Sequence, residues 1–74
     1  MVETDASETA LKMVRYQFNP SQRGDVADIK LAAAHLITLL ERQKGGPGAR
    51  EAAIAITHVQ TASMFGVAAA TADL

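Results

Sequence analysis

Cysteine and tryptophan are both absent from this chain of 74 residues. The first absence excludes disulfides and thiolate-bound metals. A chain this short makes one domain at most, and it buries too little surface to be comfortably stable alone. Folds of this size are usually held by disulfides, a structural metal or self-association. The histidines, His35 and His58, fall on different predicted helices with no carboxylate at partner spacing. No metal and no other cofactor is therefore expected, which leaves self-association as the leading inference. No basic-then-apolar leader opens the chain, and no apolar run reaches the roughly 18 residues that a membrane span needs. With no cysteine, these features fit a soluble protein of a reducing cytoplasm.

Charge is scarce but patterned. The net charge is −1. Residues 1–11 carry Glu3, Asp5 and Glu8 and no base. Residues 12–50 hold all seven basic residues against Asp25, Asp28 and Glu41, a local balance of +4. Glu51 and Asp73 are the only charges after that. The cationic middle is where an anionic partner would bind. It is too small and interrupted for a polymer of DNA or RNA, which calls for a basic stripe and a basic pI.

The periodicity predicts an all-α protein: an antiparallel two-helix hairpin with a short N-terminal segment, assembled as a homo-oligomer. Residues 1–17 form the N-terminal segment, partly disordered or a short helix capped by Ser7, and residues 18–74 the hairpin domain. Asn19-Pro20 marks a turn, and Asp25 is the expected N-cap of a helix running to about Gln43. Its apolar positions Val26, Ile29, Ala33, Leu36, Ile37 and Leu40 keep the spacing of a buried stripe, and Leu31, Ala34 and Leu39 widen it. The KGGPG stretch (44–48) stops that helix, with Gly45 in the left-handed conformation and Pro47 blocking continuation. A second helix runs from Ala49 or Arg50 to Ala70, rich in alanine and also apolar around most of its circumference. A hairpin satisfies one face of each helix, so the rest must meet another copy. Strands are not expected, because alternation is absent.

No catalytic set emerges. Thr57, His58 and Thr61 make a chance hydroxyl–imidazole neighbourhood, and no P-loop, GxGxxG or zinc pattern is present. The protein is not expected to be an enzyme. Binding is better supported. Of the three aromatics, Tyr16 and Phe18 stand two residues apart, among Lys12, Arg15 and Arg23. Rings stack on nucleobases, and cations neutralise phosphates. Arg50 opens the second helix, where free backbone NH groups also favour an anion. The competing structural reading makes Phe18 a staple at the mouth of the first helix and Tyr16 a lid on the hairpin, with Lys30 and Arg50 merely solvated.

The stretches YQFNP, DIKLAAAHLITLLE and AREAAIAITHVQTASMF, spanning residues 16–65, together resemble a family of small phage immune-evasion proteins. These are the sponges for cyclic nucleotide messengers: the anti-CBASS sponge, whose helical-hairpin domain is shared with an anti-Thoeris sponge. The resemblance implies a compact homohexamer that traps cyclic dinucleotides between protomers, and in some members cyclic trinucleotides or cyclic ADP-ribose isomers. The messenger is held intact, in the cytoplasm of the infected bacterium, so the CBASS or Thoeris effector stays silent. By the same resemblance, Tyr16 stacks on a base, Lys30 contacts phosphate and Arg50 reaches the ligand across a subunit boundary. Phe18 is the alternative stacking ring, and Asn19 and Arg23 join by proximity. The short acidic N-terminus matches neither branch, which leaves the choice of ligand open. The alternative function is a helical-hairpin interaction protein that binds a partner polypeptide through its apolar face.

Overall fold

The computed structural model describes residues 6–74. Among them there is no strand. The elements are α1 (Glu8–Met13), α2 (Gly24–Glu41), a 3₁₀ turn (Arg42–Gly45) and α3 (Ala49–Ala70). α2 and α3 pack as an antiparallel hairpin, and α1 lies on α2.

α1 is too short to persist alone, since an isolated helix of this length is marginal in water. Its ends explain how it survives. At the start, the Ser7 hydroxyl accepts from the Ala10 amide at 3.0 Å and donates to Glu41 Oε1 at 2.8 Å. The Ser7 amide donates to Thr38 Oγ1, also at 2.8 Å. The cap therefore ties α1 to the last turn of α2. At the other end the chain closes a Schellman motif. The Tyr16 amide reaches back to the Leu11 carbonyl at 3.0 Å and the Arg15 amide to the Lys12 carbonyl at 3.1 Å. Arg15 takes the left-handed position that usually falls to glycine, with φ 54°.

α2 begins one residue before the expected cap. Arg23, in extended conformation, is the N-cap residue, and Asp25 sits in the first turn. Asp25 still serves the helix start, its Oδ1 accepting from the Val26 amide at 2.9 Å, while the preceding loop fixes the backbone of Arg23. Asn19 Nδ2 donates to the Arg23 carbonyl, and Ser21 Oγ accepts from the Arg23 amide. At its other end α2 stops at Glu41, short of Gln43, and tightens into the 3₁₀ turn. The left-handed glycine expected at position 45 is not formed, because no glycine has positive φ. The 3₁₀ bonding satisfies terminal carbonyls, so no left-handed cap is required.

The core is small. Ala10, Val14, Ala34, Ile37 and Ile56 are buried together, with Leu11, Tyr16, Leu40 and Val59 packed around them. Leu36, Leu39, Ile54, Met64 and Phe65 stay exposed, the last two by 70% and 72%. Apolar residues on both helices therefore lie outside the single hairpin's core. α3 has 22 residues, a mean hydropathy of 1.3 over its most apolar window, and 17% of that window buried. By length and composition alone it could cross a membrane, although it contains no uninterrupted apolar run of that length. Alanine raises the average here, while Thr57, His58, Gln60, Thr61 and Ser63 interrupt any run.

α2 and α3 are in close contact at Gly66. A Cβ there would lie 3.0 Å from Ile29 Cγ2. Ile29 is β-branched and cannot easily swing that methyl away. Gly66→Ala is therefore expected to destabilise by about 1–2 kcal/mol, overpacking outweighing the helix propensity gained. In an Ile29→Ala background the same change should stabilise instead. Urea midpoints of the four proteins check the reversal of sign.

Candidate functional site

The grooves that carry the sequence-predicted rings and cations gather at the end of the hairpin where α2 starts and α3 finishes. One, of about 590 Å³, is lined by Phe18, Asn19, Val26, Lys30, Val67 and Leu74 among others. A second, of about 420 Å³, runs between the end of α1 and α3 and includes Arg15, Lys30, Gln60 and Ser63. A third, of about 530 Å³, has Tyr16 and Phe18 in its wall. Lys30 is shared by the first two.

Lys30 is not the solvated residue of the structural reading. It is 7% exposed. Its Nζ donates to the Arg15 carbonyl at 2.9 Å and to the Phe18 carbonyl. It also stands 5.6 Å from the centroid of the Phe18 ring, within cation–π range. Burial is the main cause holding its pKa below the usual 10.5, with the Arg15 charge as the lesser one. Two of the three ammonium protons are thus engaged in holding the loop, and one is left.

The two rings differ in availability. Tyr16 is half-buried and packs on the core as the apolar partner of Leu11 across the Schellman motif. Phe18 is 63% exposed, so much of its ring faces solvent. Of the pair, Phe18 presents the larger free surface.

Asn19 and Arg23 are also committed within the chain. The Asn19 carboxamide spans its loop, donating to the Arg23 carbonyl and accepting from Ser21 Oγ at 2.8 Å. The Arg23 guanidinium meets Asp73 at 2.8 Å and Asp25 at 3.2 Å. The hydrogen bond to Asp73, then that to Asp25, raises its pKa. Arg23 is therefore neutralised twice over. Arg15 is exposed and has no ion pair among the described residues.

Arg50 does not join this end. It is on the first turn of α3, its side chain 80% exposed and 3.7 Å from Glu51. By helical rise it is about 25 Å from Val67, which lines the first groove. The hydroxyl–imidazole neighbourhood does not assemble either. Thr57 and Thr61 donate to carbonyls of their own helix, and His58 is exposed. Among the described residues no group of His, Asp or Glu gathers to hold a metal. Sequence reasoning passed over Ser63 and Gln60. The usable signal was the stripe Ile56, Val59, Ser63, Val67, whose helical spacing puts Ser63 among inward positions.

A small all-helical hairpin carrying rings and cations at one pole is a binding module. The chain matches the Acb2/Tad1 hairpin domain over residues 8–71. It belongs to that family, the anti-CBASS and anti-Thoeris sponges. No curated protein and no solved structure gave a match.

Lys30 supplies a test of the loop. Its folded pKa lies below the unfolded one, so near that pKa the unfolded chain binds more protons. Stability should then rise with pH as it climbs through the folded pKa towards 10.5. Lys30→Met, which removes a donor from the Arg15 and Phe18 carbonyls, is expected to cost about 1–3 kcal/mol near neutrality. Relative to that variant the wild type should gain stability as the pH rises from neutrality towards 10.5, as read by denaturant midpoints. Arg15→Gly, which relieves the left-handed conformation, should stabilise by about 0.5–1 kcal/mol.

Proposed function

We propose that the protein is a phage immune-evasion sponge. It binds cyclic nucleotide immune messengers in the cytoplasm of the infected bacterium and withholds them, uncleaved, from CBASS or Thoeris effectors. Cyclic dinucleotides are the first ligands to consider, then cyclic trinucleotides and cyclic ADP-ribose isomers. Family membership supports the class of function. The observation that carries the reading further is the separation of the candidate ligand groups. Arg15 and Lys30 line a groove that meets α3 from Gln60 to Val67, with Tyr16 and Phe18 beside it, and Arg50 lies about 15–25 Å from those positions along α3. None of the three grooves takes in both sets within one chain.

A site that uses all of them is completed by a second copy. Closed symmetry repeats one interface around the assembly, so a contact that sets one subunit's Arg50 beside its neighbour's rings recurs for every subunit. A ligand with two phosphates also needs more cations than one hairpin leaves free, since an unpaired buried charge is costly. The apolar residues outside the core, among them Ile54, Met64 and Phe65, supply surface for such contacts. A homohexamer is the assembly proposed. In it Phe18 or Tyr16 stacks on a base, the remaining proton of Lys30 meets phosphate, and Arg50 arrives from the neighbouring protomer. Asn19 and Arg23 hold the rim, with Arg23 reaching the ligand only by exchanging one carboxylate for it.

Light scattering should give a multiple of the chain mass at micromolar concentration. Calorimetry against cyclic dinucleotides, cyclic trinucleotides and cyclic ADP-ribose isomers should find a ligand that chromatography recovers unchanged. Phe18→Ala and Arg50→Ala should each weaken binding at least about tenfold, the scale of one lost stacking or charge-assisted contact. A folded protein that binds nothing in the panel sinks the proposal. The competing polypeptide-binding reading, which rests on the exposed Met64 and Phe65, expects both variants to keep full activity.

A further inference from the structure

The groove between the end of α1 and α3 contains a buried hydroxyl with no partner. Ser63 is 5% exposed. On the same helix Thr57, Thr61 and Thr71 each return their hydroxyl to the carbonyl four residues back. The Ser63 hydroxyl makes no hydrogen bond to any described group, although it lines the groove. A buried polar group left in this state carries a desolvation penalty that a ligand could relieve. One turn earlier Gln60, half-buried in the same wall, also has no side-chain partner among the described residues. Its amide offers two donors and an acceptor.

The rest of the groove narrows the chemistry. Lys30 and Arg15 supply positive charge on one side. Met13 and Met64 form soft, polarizable walls suited to a flat aromatic system. The volume of about 420 Å³ falls in the range of small-molecule sites. An apolar ligand would leave Ser63 and Gln60 unpaired. Inorganic phosphate would leave the thioether walls unused. A planar heterocycle with a hydrogen-bonding edge and an attached anionic group uses every part.

We propose that Ser63 and Gln60 are specificity-determining residues that read the heterocycle edge of a nucleotide-class ligand in this groove. The inference rests on the sponge reading and extends it, since neither residue belongs to the set of rings and cations proposed above. Charge attracts any nucleotide, whereas a paired edge discriminates among bases.

The test compares wild type, Ser63→Ala and Gln60→Met by calorimetry against cyclic di-AMP, cyclic di-GMP and cyclic di-UMP. Thermal melts control for folding. Ser63→Ala should melt no lower than wild type, because alanine is the better helix former and the unpaired hydroxyl is gone. The wild-type preference among the three ligands should fall at least about fivefold in one or both variants, the scale of a lost base-edge contact. If wild type binds and both variants keep its preference order and ratios, the inference is overturned while the sponge reading stands. If folded wild type binds none of the three, this inference falls. Binding of cyclic trinucleotides or cyclic ADP-ribose isomers would then preserve the sponge reading, and its failure there too would end both.

Discussion

The Lys30 ammonium, drawn inside to meet two backbone carbonyls, is the constraint on which the ring-bearing end of the molecule depends. Burying an ammonium costs several kcal/mol unless it is well partnered. Charge-assisted hydrogen bonds to Arg15 and Phe18 offset that cost. Those carbonyls are within reach because Arg15 adopts the left-handed conformation and turns the chain away from α1. The strained backbone at Arg15 and the buried charge at Lys30 are therefore two halves of one arrangement. It sets the register of Tyr16 and Phe18, one ring folded onto the core and the other held outside.

This arrangement qualifies how a phosphate could be met. A lysine with three free protons is an open anchor, whereas Lys30 has one proton to spare. Arg15 is the exposed cation at this end that makes no ion pair among the described residues. Arg23 is already held by Asp73 and Asp25. The cationic middle seen in the sequence is thus divided by folding into structural, paired and available charges, and charge counting alone cannot make that division.

The helices themselves were legible because helix signals are local. The α2 stripe, the KGGPG stop and the alanine-rich α3 each follow from spacing and turn chemistry, and Ser7 announced α1 as an N-cap. The details that failed depend on groups distant in sequence or on small differences between competing caps. Asp25 lost the cap position to a loop braced by Asn19 and Ser21. Gly45 lost the left-handed role to a 3₁₀ turn. Neither the phosphate-contacting nor the solvated reading of Lys30 anticipated its burial, because its acceptors are carbonyls 12 and 15 residues away, which no side-chain pattern reveals. Ser63 was passed over because a lone serine is not counted with the apolar stripe, although its spacing from Ile56, Val59 and Val67 places it inward.

The Arg23–Asp73 ion pair brings Asp73 to the start of α2, and Leu74 helps to line the first groove. A practical consequence concerns how the protein is handled. Any tag, dye or linker fused behind Leu74 begins at the lip of that cleft, where its bulk competes with an incoming molecule and its charge with the Asp73 carboxylate. Attachment through the exposed turn at Gly45–Gly48, at the opposite pole, leaves this chain's cleft clear but stands two residues from Arg50, the group proposed to reach a neighbouring protomer.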